Sequence, residues 1–356
     1  MKIVIGLLAW NEENSIAATL VSLGTQSLLR HADGHNFQIE ILIVPNGCTD
    51  RTPEVAEEAL GHLRTNFPPI SCRVKSLAEG GKSHAWNHLI HEFSPFDVDY
   101  FIMMDADIEL LTPCTLEALW KTLETTPNAI ISTDLPVKHL TRKSRLSPLD
   151  RILLGAGKMT RATPGQLTGQ LYCARASALR KVWMPKGLVV DDGYLKQILC
   201  SGGFSHAVDN SLIVRAEGAS HLFECYTKLK DIWNHQIRQA IGHTIYTYLT
   251  EFVRNEIPIR PVFSVIMEKS RSDPEWFLRV IREEVKSRGW WVMDTASLMM
   301  RWRRVRFAKG LGKLKFFVLA LAASPFDLVV FLVSNSRLRS GKVKGIWKDT
   351  RTTSLS

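Results

Sequence analysis

Asp105 and Asp107 end an apolar stretch, Phe101-Ile102-Met103-Met104, and are spaced i, i+2. Two carboxylates so placed at the end of a buried strand can meet one cation and one ribose. Magnesium and manganese take one or two protein carboxylates and leave their other positions to phosphate and water. The plainer alternative is helix capping by Asp107, and the apolar run before the pair weighs against it. A second acidic pair, Asp191-Asp192, follows Leu188-Val189-Val190. Adjacent carboxyls raise one another's pKa, which suits a group that must take a proton. Helix capping is again the alternative.

Regular elements must hold these groups. Lys2 to Ala9 is an aliphatic run, as expected of a strand buried on both faces. Asn14 or Ser15 caps a helix to about Leu28. Strands are expected over Gln38 to Val44, Ser71 to Leu77, Val98 to Met104 and Ala129 to Thr133. Helices are expected after Asp50 or Thr52, from Gly81 to about Glu92, and from Thr115 to Thr125. This alternation predicts an α/β fold with a mostly parallel sheet wrapped by helices. Ligands of such sheets bind at the carboxyl ends of the strands. The polar clusters fall there: Asn11-Glu12-Glu13, Asn46 to Asp50, Gly80 to Ser83, and Asp105 to Asp107.

Thr141 to Gly165 reads as a connecting region. A helix from Asp192 to Leu199, a short strand from Ser211 to Val214 and a long helix from Lys228 to Thr250 follow. Asp273-Pro274 reads as a cap and first turn of a helix ending near Gly289. The expected division is a catalytic domain over 1–250, a helical basic linker over 251–315, and an apolar segment with a basic tail over 316–356.

The net charge of +10 implies an anionic partner. Its placement decides which: Arg301, Arg303, Arg304, Arg306, Lys309, Lys313 and Lys315 run without an acid into the apolar stretch Phe316 to Val333. That sequence suits a lipid surface and not a nucleic acid. The stretch contains Pro325 and is at the lower limit of a bilayer span. Bases on both sides favour a re-entrant or interfacial helix pair broken at Pro325; a true span and a buried soluble helix are the alternatives. Trp290, Trp291 and Trp302 are read as interfacial anchors or as core. The six cysteines form no C-x-x-C pair and fit reduced thiols in a cytosolic compartment. Ile3 to Trp10 is too short for a signal peptide and meets Asn11-Glu12-Glu13 at once.

In its motifs the chain resembles the family 2 glycosyltransferases, the inverting group with the GT-A nucleotide-diphospho-sugar transferase fold. The resemblance covers about Lys2 to Gly242. It rests on Trp10-Asn11-Glu12-Glu13, the turn Pro45 to Thr52, Gly81-Lys82-Ser83-His84-Ala85-Trp86-Asn87, the pair Asp105/Asp107, and Asp191-Asp192-Gly193-Tyr194-Leu195, in that order. It implies that Asn11, Glu12, the Asn46 to Asp50 turn, Lys82, Asn87 and Asp105 bind the nucleotide sugar. It also implies that Asp107, with Asp105, holds Mg2+ or Mn2+. Asp192 would be the general base, with Asp191 its neighbour or substitute, and Gly169-Gln170 would flank the acceptor.

The chain departs from the family at two places. Pro45 replaces the Asp that opens the turn after the second strand, leaving Asn46 as the substitute. A late Gln-x-x-Arg-Trp is represented by His235-Gln236-Ile237-Arg238-Gln239. Arg238 is retained for the diphosphate, and His235 is either a further metal or phosphate contact or a plain surface histidine. Loss of the full motif implies transfer of a single sugar. The resemblance therefore implies a nucleoside-diphosphate sugar donor, most simply a UDP-sugar. The basic and apolar tail suggests a lipid, lipid-linked or glycan hydroxyl as acceptor, at the cytoplasmic face of the plasma membrane. A nucleotidyltransferase on the same sheet and a non-catalytic scaffold remain as alternatives.

Overall fold

A computed structural model describes residues 1–32, 37–161, 165–256, 261–307 and 310–341. The basic tail from Lys342 to Arg351 and the position of Lys309 lie outside the described residues. The strands are β1 (Lys2–Ala9), β2 (Gln38–Pro45), β3 (Ser71–Val74), β4 (Tyr100–Asp105), β5 (Glu109–Leu110), β6 (Ile131–Lys138), β7 (Leu171–Arg175) and β8 (Ile213–Phe223). The helices are α1 (Ile16–Gly24), α2 (Thr52–Asn66), α3 (Lys82–His88), α4 (Thr115–Thr125), α5 (Pro148–Arg161), α6 (Ala176–Leu179) and α7 (Asp191–Cys200). Next come α8 (Leu229–Glu256), α9 (Val262–Ser272), α10 (Trp276–Ser287), α11 (Met300–Phe307) and α12 (Leu311–Arg339).

The chain divides into two compact units. The first comprises Met1–Met184 and Asp191–Cys225; the second comprises Pro185–Val190 and residues from Tyr226 onward. The division falls at 225 and not at 250, because α8 packs on α10 and α12.

In the first unit all eight strands form one sheet, ordered β3-β2-β1-β4-β7-β6-β8-β5. Strands β3, β2, β1 and β4 are parallel, whereas β7 runs antiparallel to β4 and β6. Alternation along β1 is strict: Ile3, Ile5, Leu7 and Ala9 enter a core shared with α1, α2 and α4, while Val4 and Leu8 face the other side. Gly6 lies under Leu89, whose side chain would be 2.7 Å from an added Cβ. The sheet therefore packs the helical turn that follows α3, Leu89–Phe93, at close range on that face.

Four sequence expectations need correction. The region Thr141 to Gly165 holds a helix, α5. Its start is a reciprocal cap: Asp150 N donates to Ser147 Oγ at 3.1 Å and Ser147 N to Asp150 Oδ2 at 3.0 Å, with Pro148 at the first helical position. The short strand expected at Ser211 to Val214 is the much longer β8. Its pairing with β6 shifts register between Thr133 and Leu135, a bulge that lets it continue to Phe223.

The third correction is in the second unit, where the helix pair broken at Pro325 is one helix, α12. Packing along one of its faces holds it together, with Ala320, Val330, Phe331 and Leu338 buried. The cap at Asp273 is displaced in the same unit. Asp273 Oδ1 accepts from Glu275 N at 3.3 Å in a turn, and α10 begins at Trp276.

Candidate active site

The carboxyl ends of β1, β2 and β4 carry the site. Beyond β1, Asn11 adopts a left-handed φ of 55°, which an Asn tolerates better than most residues. Its side chain fastens the next turn: Thr49 N donates to Asn11 Oδ1 at 2.8 Å. Two further bonds stitch the same loops, Glu12 N to Thr52 Oγ1 at 2.6 Å and Arg51 N to Glu13 Oε2 at 3.0 Å. Asp50 accepts from Thr52 N at 3.1 Å and Thr52 Oγ1 at 2.6 Å, so it fixes the start of α2.

Asn46 is buried and fully occupied. Its Nδ2 donates to Ala9 O at 2.8 Å, and Gly81 N donates to its Oδ1 at 2.8 Å. Beside it Gly47 has φ 58°, and a Cβ there would stand 2.5 Å from the Gly80 Cα. Two backbones thus meet where only glycine fits. The result is that α3 starts next to the end of β2, with Lys82 in its first turn.

Lys82 Nζ donates to Asp105 Oδ1 at 2.7 Å and to Gly169 O at 3.4 Å, and lies 3.7 Å from Asp191 Oδ2. A cleft is lined by Lys82, Asp105, Gly169, Asp191 and Asp192, with Trp86 and Tyr172 in its wall. The acidic helix α7 can come this close because residue 169 is glycine: a Cβ there would stand 3.2 Å from Asp192 Cβ. Asp192 Oδ1 accepts from Gly193 N at 2.7 Å.

The electrostatics are those of a crowded acid cluster. Burial, and next Asp107, push the Glu12 carboxyl up to about 8, with Asp105 and Asp50 adding to the shift. Asp105 is likewise raised, by burial and by Asp107, against the pull of Lys82. Burial alone would lower Lys82, but Asp105 and Asp191 outweigh it and hold the ammonium charged. Among the described residues no group of three or more His, Cys, Asp or Glu is arranged to hold a metal ion. The donor set instead fits a hard cation that takes one or two carboxylates here and its remaining oxygens from phosphate. The crowding of acids that raises Glu12 and Asp105 is the observation that favours one.

Other expected residues have different surroundings. Asn87 is buried in a reciprocal pair with the backbone of Met184, Nδ2 to O and N to Oδ1, each at 2.9 Å. It therefore pins the segment that forms one cleft wall. Gln170 gives its backbone: Asp105 N donates to Gln170 O at 2.9 Å. The Gln170 side chain meets His221 Nε2 at 3.4 Å, and His221 Nδ1 lies 2.6 Å from Asp134 Oδ2, both wholly buried. This Asp134–His221 pair was not legible in the sequence, because the β6 bulge and the length of β8 create it. Trp86 lies inside the Gly81 to Asn87 motif without an assigned role; its Nε1 donates to Tyr172 Oη at 3.0 Å.

His235 and Arg238 lie on α8, in the second unit. Burial, then Arg238, lowers His235 to about 4, and its ring is tilted against Tyr226.

Comparison with known proteins agrees with this architecture. Residues 5–181 match the model of glycosyl transferase family 2, and the chain belongs to that family. Its fold is that of the GT-A glycosyltransferases. A mannosyltransferase from Pyrobaculum calidifontis, PcManGT, in complex with GDP-Man and Mn2+, is 16% identical with a TM-score of 0.50 over 97% of this chain and 87% of that one. Glucosyl-3-phosphoglycerate synthase from Mycobacterium tuberculosis, with Mg2+ and uridine-diphosphate, is 18% identical over 72% of this chain and 80% of that one, at a TM-score of 0.45. S. aureus TarS residues 1–349 are 13% identical over 96% of this chain and 92% of that one, also at 0.45. No curated protein sequence matches the chain.

Proposed function

We propose that this glycosyltransferase moves a single sugar, with inversion, from a nucleoside-diphosphate sugar to a hydroxyl of a lipid, lipid-linked or glycan acceptor. A UDP-sugar is the first donor to test. The observation that carries the reading is the shared cleft: Lys82 and Asp105 line one part of it and Asp191 and Asp192 another. Inverting transfer needs a cationic and metal-binding part for the departing diphosphate and a separate base for the acceptor.

On this reading Asp105 receives the ribose, and Asp105 with Asp107 would hold Mg2+ or Mn2+, which stabilises the departing diphosphate. Lys82 supplies a fixed positive charge beside it. Asp192 takes the proton from the acceptor hydroxyl. Asp191, 3.7 Å from the Lys82 ammonium, is its neighbour. Gly169 keeps the acceptor side open. The roles of Arg238 at the diphosphate and His235 at a metal or phosphate are carried by the family resemblance alone. The acceptor class and the cytoplasmic face of the plasma membrane rest on the basic and apolar sequence around α12.

The test is a donor screen with UDP-, GDP- and dTDP-sugars in detergent and membrane-lipid extract, with Mn2+, Mg2+ or chelator. Sugar transfer that needs the cation and is lost in Asp107→Ala is expected, with an inverted anomeric product by NMR. Release of sugar 1-phosphate in place of nucleoside diphosphate, with the nucleotidyl group passed to added pyrophosphate, would point to a nucleotidyltransferase. Donor binding without turnover in every acceptor mixture would point to a scaffold.

A further inference from the structure

We propose that α12 docks flat on an anionic lipid surface, through one open apolar face, and does not cross the bilayer. The inference rests on the membrane part of the proposed function and is independent of its chemistry.

Gly312–Arg339 is long and apolar enough to cross a membrane by length and composition. Its surroundings within the second unit argue for another placement. Leu314, Phe317, Val318, Leu321, Leu328 and Leu332 recur at helical spacing and form one stripe. All six are exposed, from 43% at Phe317 to 63% at Leu314. The stripe runs about 27 Å along the helix axis. An open apolar surface of that length on one side of a helix is rare without a partner.

Polar contacts hold the helix to protein beyond the end of the stripe, at Asn335, and away from it, at Asp327. Asn335 Oδ1 accepts from Val292 N at 2.9 Å and Met293 N at 3.2 Å, and its Nδ2 donates to Trp290 O at 2.9 Å. Arg301 Nε donates to Asp327 Oδ2 at 2.8 Å. Ser334 is wholly buried. Sinking this helix across a bilayer would strip the Asn335 and Asp327 bonds or drag their partners into hydrocarbon. Lying in the interface keeps every one of them and still covers the stripe.

Charge selects the occupant. From Met299 to Gly341 the sequence has nine bases and one acid, Asp327, and that acid is paired. Arg306, Lys313 and Arg339 are exposed. Arg339 sits over the Trp290 ring at 4.3 Å, and Trp290 and Trp291 are 67% and 54% exposed. Apolar stripe, interfacial tryptophans and unbalanced bases together match an anionic bilayer surface. A second copy of the same basic face would repel itself.

The test floats the full chain with vesicles containing about 30% phosphatidylglycerol and with phosphatidylcholine alone, at low and high salt. Binding is expected to the anionic vesicles, at least about tenfold weaker without the anionic lipid, and reduced again by salt. Leu321→Glu with Leu328→Glu should weaken it about a hundredfold. Lys313→Glu with Arg339→Glu should remove the preference for anionic lipid. Unchanged circular dichroism and unchanged donor hydrolysis in these variants exclude misfolding and separate this result from the catalytic proposal. Retention on membranes through alkaline carbonate washing would show a span and overturn the inference. Failure to float overturns it too, and loss of self-association in Leu321→Glu would then identify a second copy as the occupant.

Discussion

Lys82 Nζ lies 2.7 Å from Asp105 Oδ1, so the first turn of α3 is tied to the last residue of β4 across the mouth of the cleft. The ammonium is the counter-charge to a carboxylate that burial and Asp107 would otherwise drive toward its neutral form. Lys82→Met removes that counter-charge with little change in volume. On the proposed reading it also removes a contact to the diphosphate. We expect kcat/KM for the donor to fall about a hundredfold, with much of the loss in donor affinity. Calorimetric titration of nucleoside diphosphate in the presence of Mn2+ measures the binding part directly. Unchanged affinity would place the diphosphate elsewhere.

Glu12 gives a pH prediction whose sign is fixed by its environment. Its folded-state pKa is raised from 4.5 to about 8 by burial and by Asp107. A carboxyl raised in this way contributes stability that is full below about 4.5 and is lost as pH climbs to about 8. With chelator present, thermal stability should therefore decline across that window. Glu12→Gln should flatten the decline and make the protein the more stable of the two at pH 8. Added Mn2+ should mimic part of that gain in the parent, since a cation at Asp107 favours the ionised Glu12. Parallel melting curves against pH for the two proteins decide the matter.

The parts of the site written in local chemistry could be read before any coordinates. The apolar run to Asp105 marks a buried strand end, and the Asn46-Gly47 and Gly80-Gly81 pairs mark turns. What could not be read was made by long-range pairing. Asn87 looked like part of a nucleotide motif because its neighbours are. Only the fold shows that it spends both amide atoms on Met184, 97 residues away. β7 escaped notice because its five residues lie beside a glycine-rich segment and run against the parallel strands. α5 was missed for a different reason: Ser147-Pro148-Leu149-Asp150 is a capping signal in plain view, obscured by the basic residues before it. Pro325 misled in the other direction. A proline removes one helix hydrogen bond, but tertiary packing along one face kept α12 whole.

Asp134 and His221 test whether the ground beneath Gln170 matters. Both side chains are wholly buried; the pair is made by Asp134 Oδ2, and Asp134 Oδ1 has no hydrogen-bond partner among the described residues. His221→Leu would strand a buried carboxyl, and we expect a loss of about 3 kcal/mol in unfolding free energy. Asp134→Asn keeps a hydrogen bond to the ring and should cost less than half as much. Chemical denaturation of the two variants gives the ratio. Equal losses would mean that burial volume, and not the hydrogen bond, is what the pair supplies.

Asp191 and Asp192 are adjacent in sequence but not equivalent in place, and on the proposed reading that difference makes Asp192 the base. Asp191 lies 3.7 Å from the Lys82 ammonium, on the side that the proposed reading gives to the diphosphate. Asp192 packs against Gly169, on the side where the resemblance puts the acceptor, and its Oδ1 is oriented by Gly193 N. Asp192→Asn should therefore lower kcat by about 10²–10⁴-fold with donor affinity unchanged. Asp191→Asn should lower it less and weaken donor binding, because it also disturbs Lys82. The measurement is kcat and donor KM for both variants with one acceptor, together with donor hydrolysis in its absence. If Asp191→Asn is the more damaging to kcat and leaves KM alone, the two roles are reversed, and the neighbour of Lys82 is the residue that takes the proton.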